Sequence, residues 1–166
     1  MYIKLIGIIC TSICGILIGN AAAHRLKERF ERLDSIIASL SIIKAKLALN
    51  LTPIPDILSE LSSENHCAVY GEIYRRYSFD EPFSDTWCSC FSEYAADLGD
   101  ETVQILCGLG QMLGKYDASE QCEAIDYALL RLGKKLDELR SEYAEQGRLY
   151  RKLGVALGLG TAVMLM

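Results

Sequence analysis

The chain has 166 residues, enough for one folded unit with a sizeable core and too few for two once any membrane segments are set aside. It is 51% hydrophobic with a formal charge of −5, which excludes a disordered chain and argues against a nucleic-acid binder, whose surface would carry a basic excess. Seven cysteines, an odd number, with no C-x-x-C pair and no zinc-spaced histidines, argue against a disulfide framework or a structural zinc site and predict reduced, cytoplasmic thiols.

The apolar residues crowd the two ends. Leu5 to Ala23 carries no charged side chain; as a helix rising about 1.5 Å per residue this stretch covers roughly 28 Å, close to the thickness of a hydrocarbon core. Residues 1–24 are therefore expected to form an N-terminal transmembrane helix. Arg25, Lys27 and Arg29 follow it at once, and a basic flank of this kind stays cytoplasmic. Leu153 to Met166 is also uncharged and follows Arg151 and Lys152, so residues 153–166 are expected to be a second, shorter transmembrane or membrane-embedded helix, with its basic flank on the same side. Gly7, Gly15, Gly19, Gly154, Gly158 and Gly160 give both segments small surfaces suited to close helix packing. The rival reading is an exported protein whose first segment is cleaved after the A-x-A-like Ala21–Ala23; the basic run that follows resists translocation and opposes it.

Between the ends, residues 25–152 read as a cytoplasmic helical bundle, because apolar residues recur at steps of three and four and no strand alternation persists. Leu26, Phe30, Leu33, Ile36, Ile37, Leu40, Ile43, Leu47 and Leu51 make one stripe of a long first helix. Thr52, Pro53 and Pro55 break it, since proline disfavours helix in the residue before it and lacks an interior amide. A short helix from about Pro55 to Ser63 follows, then one from His66 to Tyr77 capped by Asn65, a loop from Ser78 to Ser84 containing Pro82, and a helix carrying Trp87, Phe91, Tyr94 and Leu98. Gly99 and Asp100 start the next, which runs to Gly114 with Val103, Leu106, Leu109, Gly110 and Leu113 as its buried stripe. Asp117, with Glu120 three residues on, opens a last helix of more than thirty residues whose seam is Ile125, Leu129, Leu132, Leu136, Leu139 and Tyr143. The fold class expected is all-α: an antiparallel bundle of about six helices with a transmembrane helix at each end.

Few residues suggest chemistry. The string GLGQMLG at Gly108–Gly114 lacks the strand, lysine–serine pair and spacing of a phosphate loop; packing through Gly110 and termination at Gly114 explain it better. A cysteine-dependent enzyme would need a base, and the only histidines are His24 and His66. Cys88 and Cys90 point to different sides of their helix. The carboxylates Asp97, Asp100 and Glu101, and Glu123 with Asp126, lack calcium-loop spacing. No cofactor, metal or catalytic residue is expected. Tyr70, Tyr74, Tyr77, Phe79, Phe83, Trp87, Phe91 and Tyr94 cluster with Arg75 and Arg76; most should be core, with Arg75, Arg76 and Trp87 as candidates for a protein interface.

The whole chain resembles the stage III sporulation protein AB family of endospore-forming bacteria. The likeness rests on TPIPDIL at Thr52–Leu58, the Trp87 helix, LGQMLGKYDASEQ at Leu109–Gln121 and RKLG at Arg151–Gly154 before the last apolar segment. The L-G-x-x-L-G-x-x-D-x-x-x-Q string carries its specificity, and Gly110, Gly114, Asp117 and Gln121 are the shared positions, expected to be structural or interfacial. The resemblance implies a non-enzymatic component of the channel or secretion-like complex between mother cell and forespore, anchored in the mother-cell membrane. Its soluble part is implied to be similar to the F-type platform domain of type II secretion and type IV pilus systems. The implied partners are the stage III sporulation AA ATPase, other membrane subunits of the complex and membrane lipid, with homo-oligomerisation left open.

Overall fold

The computed structural model describes the backbone of residues 2–50, 52–63, 67–77 and 82–165, and the side chains of residues 24–49, 52–62, 67–77 and 82–145. Among these the protein is all-α, with six helices and no strand: α1 (Tyr2–Asn50), α2 (Ile54–Ser63), α3 (Ala68–Arg76), α4 (Phe83–Tyr94), a 3-10 turn (Ala96–Leu98), α5 (Asp100–Met112) and α6 (Ala118–Leu165). The chain separates into two compact units, one formed by residues 1–30 and 138–166 and the other by residues 31–137.

The first unit holds the two apolar end segments. Both are helical, but their side chains, with those of Arg151, Lys152 and the glycines within the segments, lie outside the described residues, so their expected crossing of a membrane falls there too. Among the described residues no helix is long and apolar enough to cross a membrane. Arg25 and Lys27 are exposed and Arg29 half-buried, Arg140 stands over the Phe30 ring, and His24 Nδ1 lies 3.1 Å from Glu28.

The second unit, residues 31–137, is the bundle, and its core follows the predicted stripes. Leu33, Ile36, Leu40, Ile43 and Leu47 of α1 are buried, as are Ile57, Leu58 and Leu61 of α2 and Ile125, Ala128 and Leu132 of α6. Helices α2, α3, α4 and α5 pack in succession. Ion pairs at the surface tie the α1 segment of this unit to its surroundings: Lys46 to Glu60 of α2 at 2.6 Å, Lys44 to Asp126 of α6 at 2.7 Å, and Arg32 to Asp97 at 2.7 Å. Each stabilises by a fraction of a kcal/mol to about 1 kcal/mol at such exposure. They fix register more than they add strength.

Several boundaries and faces differ from expectation. Pro55 stands one residue inside α2, where a missing amide costs nothing because first-turn amides have no helical partner, and the carbonyl of Pro53 accepts from the amides of Asp56 and Ile57. Helix α3 begins after Cys67, which offers no side-chain cap, while Asn65, His66 and Phe79 lie outside the described residues. Leu98 belongs to the 3-10 turn. In α5 the buried line is Thr102, Ile105, Leu106 and Leu109, with Val103 only half-buried. In α6 Tyr143, expected in the seam, is 46% exposed.

Candidate interaction site

The corner joining α5 to α6 is built by Gly110, Gly114, Asp117 and Gln121. Gly110 lies on the face of α5 that meets α4, against the Trp87 indole: an added Cβ would collide with Trp87 Cδ1 and lie 2.7 Å from Cγ. Only a residue without a side chain lets the two helices approach this closely. After Leu113 caps the helix, Gly114 takes φ +78°, a left-handed conformation that ends helices at little cost only in glycine. Asp117 then starts α6, its carboxylate accepting from the Glu120 amide at 2.9 Å. Gln121 is 7% exposed and laces the turn: its Oε1 accepts from the Gly114 amide at 3.1 Å and its Nε2 donates to the Tyr116 carbonyl at 2.6 Å. A turn that would otherwise leave polar backbone unsatisfied is thereby closed by one side chain.

This corner forms one wall of a cleft of about 490 Å³. Leu113, Gly114, Lys115, Ala118 and Gln121 come from the corner, Thr52, Pro53, Ile54 and Pro55 from the α1–α2 break, and Tyr77, Pro82 and Phe83 from the ends of α3 and α4. Two of the sequence strings on which the resemblance rests, Thr52–Leu58 and Leu109–Gln121, therefore meet across one opening. All three prolines of the chain line it. The lining is largely apolar, with Lys115 the only charged side chain among the described residues that form it. A largely apolar lining of this kind suits an apolar segment of a partner.

The other candidate residues separate. Trp87 is not an interface residue: it is fully buried, its Nε1 donates to the Leu106 carbonyl at 2.8 Å, and its ring packs among Tyr70, Phe83 and Phe91 at centroid distances of 6.0, 5.6 and 4.7 Å. An indole of this size with its one donor satisfied inside contributes most as core. Arg75 and Arg76 are exposed on the last turn of α3 and outside the cleft, bonded to Glu72; Arg76 also reaches Glu93 of α4 at 3.3 Å. Hydrogen bonds from Arg75 and then Arg76 hold the Glu72 carboxyl below its usual range. Burial pushes the Cys90 thiol up, the reverse of an activated thiolate.

The expectation of free thiols is corrected at one pair: Cys88 of α4 and Cys107 of α5 form a disulfide. The signal was present in the spacing, because the two residues stand nearly symmetrically about the Ala95–Gly99 reversal, where antiparallel neighbours meet. Cys67, Cys90 and Cys122 are free, and Cys67 Sγ donates to the Tyr94 hydroxyl at 3.2 Å. What sequence reasoning missed at the cleft is Gln121 as its lace and the meeting of Pro53 and Pro55 with Pro82.

No curated protein and no solved structure matches the chain. The family model described as stage III sporulation protein AB matches residues 4–166, and the chain belongs to that family.

Proposed function

We propose that this protein is a membrane-anchored assembly platform of the sporulation complex, a non-enzyme whose bundle recruits a cytoplasmic ATPase through the cleft between the α1–α2 break and the α5–α6 corner. The observation that carries this reading is the convergence of Thr52–Pro55 with Leu113–Gln121 on a single, largely apolar opening. Apolar concavities with a few fixed polar groups hold the anchoring side chains of partners. In this reading residues 1–24 and 153–166 anchor the chain in the mother-cell membrane, Arg25, Lys27, Arg29, Arg151 and Lys152 keep the bundle on the cytoplasmic side, and the remaining subunits of the complex meet the end helices. The resemblance to the F-type platform domain supports the choice of an ATPase as partner.

The test is binding of the stage III sporulation AA ATPase to the intact chain in lipid nanodiscs, measured by calorimetry. Lys115→Glu, at an exposed position on the rim, is expected to weaken binding about tenfold without altering thermal stability. Absence of binding at tens of micromolar, or binding indifferent to Lys115→Glu and Tyr77→Ala, removes the cleft as the docking surface.

One observation favours a second reading. A disulfide such as Cys88–Cys107 persists in an oxidising compartment and is rare in the cytosol, so an exported bundle would keep it. Alkylation of intact cells before lysis decides: two additional blocked thiols per chain place the bundle in a reducing compartment, whereas a protected pair places it outside and overturns the ATPase partner.

A further inference from the structure

The outward side of α6 is the most apolar exposed helix face among the described residues of the second unit. Tyr127 is 63% and Leu130 62% exposed, on the side of the helix opposite buried Gln121, Ile125, Ala128 and Leu132. Beside Tyr127 runs a groove of about 530 Å³ between α5 and α6, lined by Ile105, Leu109 and Met112 and left open at Gly108, where an added Cβ would meet nothing. One helical turn before Tyr127 is Glu123 and one turn after Leu130 is Lys134, both exposed. Residues at steps of three and four share a face, so Glu123, Tyr127, Leu130 and Lys134 form one line along the helix.

The charges of that line are unspent. Asp126 and Arg131 beside it already hold partners, Lys44 at 2.7 Å and Glu101 at 2.7 Å; Glu123 and Lys134 hold none among the described residues. The order acid, Tyr, Leu, base is complementary to itself when reversed. We infer that this face is a self-association surface, on which a second copy of the chain lays its own α6 antiparallel about a two-fold axis between Tyr127 and Leu130. Tyr127 of each copy then meets Leu130 of the other, and Glu123 of each meets Lys134 of the other, twice over. Isologous contact of this kind is the common solution for a homodimer. A parallel copy would instead set Glu123 near Glu123 and Lys134 near Lys134, so charge selects the antiparallel pairing. One helix face with two large apolar residues buries less than a standard interface, so the dimer is weak and dependent on ionic strength.

Sedimentation velocity of the full chain in a nonionic detergent, at low salt and again in about 0.5 M salt, reads the prediction directly. The wild type is expected to show reversible dimerisation in the range of about 10–100 µM, weakened at high salt. Glu123→Lys and Lys134→Glu each set like charges opposite one another and are expected to weaken the dimer about tenfold or more. The double variant E123K/K134E restores the pairing with signs exchanged and is expected to dimerise as the wild type does. All four proteins should share one far-UV spectrum and one melting temperature, since Glu123 and Lys134 are exposed and make no hydrogen bond or ion pair among the described residues that melting would lose. A wild type that stays monomeric to about 200 µM overturns the inference. So does a dimer indifferent to the single exchanges, as association through the end helices alone would be, or one that the double exchange fails to restore.

Discussion

Replacing Gly110 with alanine sets two effects of opposite sign against each other. Alanine in the interior of a helix is favoured over glycine by about 1 kcal/mol, and at an open position this gain is the whole effect. At Gly110 the new Cβ falls on the Trp87 indole, 2.7 Å from Cγ and closer still to Cδ1. Trp87 cannot step aside: it is fully buried, wedged against Phe91 and Tyr70, and bonded through Nε1 to the Leu106 carbonyl. Separating α4 from α5 to relieve the overlap costs roughly 1–3 kcal/mol, and breaking the buried indole bond a further 1–3 kcal/mol or so. Gly110→Ala should therefore lower stability by about 1–5 kcal/mol after the propensity gain is subtracted. For a unit the size of residues 31–137 that corresponds to a melting temperature lower by roughly 5–20 °C. Gly108, two residues away with nothing near its would-be Cβ, supplies the control: Gly108→Ala should raise stability by up to about 1 kcal/mol. Urea denaturation followed by far-UV dichroism measures both, and the emission of Trp87, the one tryptophan of the chain, should shift to the red in the Gly110 variant alone. Equal stabilisation by the two substitutions, with unchanged emission, would refute the contact.

Other outcomes follow from the corner and the surface. Asp117→Ala removes the acceptor for the Glu120 amide and should cost about 1 kcal/mol. Gln121→Ala leaves both the Gly114 amide and the Tyr116 carbonyl without their partner and should cost more, about 2–3 kcal/mol, in the same denaturation assay. Reduction of Cys88–Cys107, separated by 19 residues, should destabilise the bundle by roughly 3 kcal/mol through loop entropy regained by the unfolded chain, and C88S/C107S should make melting insensitive to dithiothreitol. Glu101 is held below the usual carboxyl range by hydrogen bonds from Lys135 and then Arg131. A depressed carboxyl stabilises the fold above its unfolded value and loses that contribution as pH falls through the lower folded value. The stability difference between wild type and Glu101→Gln should accordingly be present at neutral pH and vanish in acid titration below the glutamate range; a difference constant with pH would contradict it.

The elements were legible because each carries a local cause. The stripe Leu33–Ile36–Leu40–Ile43–Leu47 announces the buried side of α1, Pro53 and Pro55 its end, and Asp117 with Glu120 the start of α6. What the sequence concealed lies between elements. Periodicity made Trp87 either core or contact, and only the placement of Gly110 across from it decides for core. Val103 and Ile105 are equally apolar, and the packing of α5 against α4 and α6, which no local signal encodes, buries the second more deeply. The cysteines looked unpaired because their spacing was compared with metal and redox motifs, whereas Cys88 and Cys107 are joined by a helix reversal. The cleft is invisible in the same way: Thr52–Pro55, Pro82 and Leu113–Gln121 are far apart in the chain, and each had a sufficient local role as a breaker, a loop or a cap.

The three prolines around the cleft also decide how a partner would be read. Pro53, Pro55 and Pro82 have no amide to offer and little torsional freedom to lose. An incoming segment finds no main-chain donor at those three positions, so there its identity must be read from side chains, and a stretch already stiff forfeits little entropy when it is covered. Recognition there would resemble a key entering a fixed lock, with association rates little affected by rearrangement of the rim. In amide-detected spectra the three prolines would be silent, and the visitor would be announced by their neighbours and by Gly114, Lys115 and Gln121.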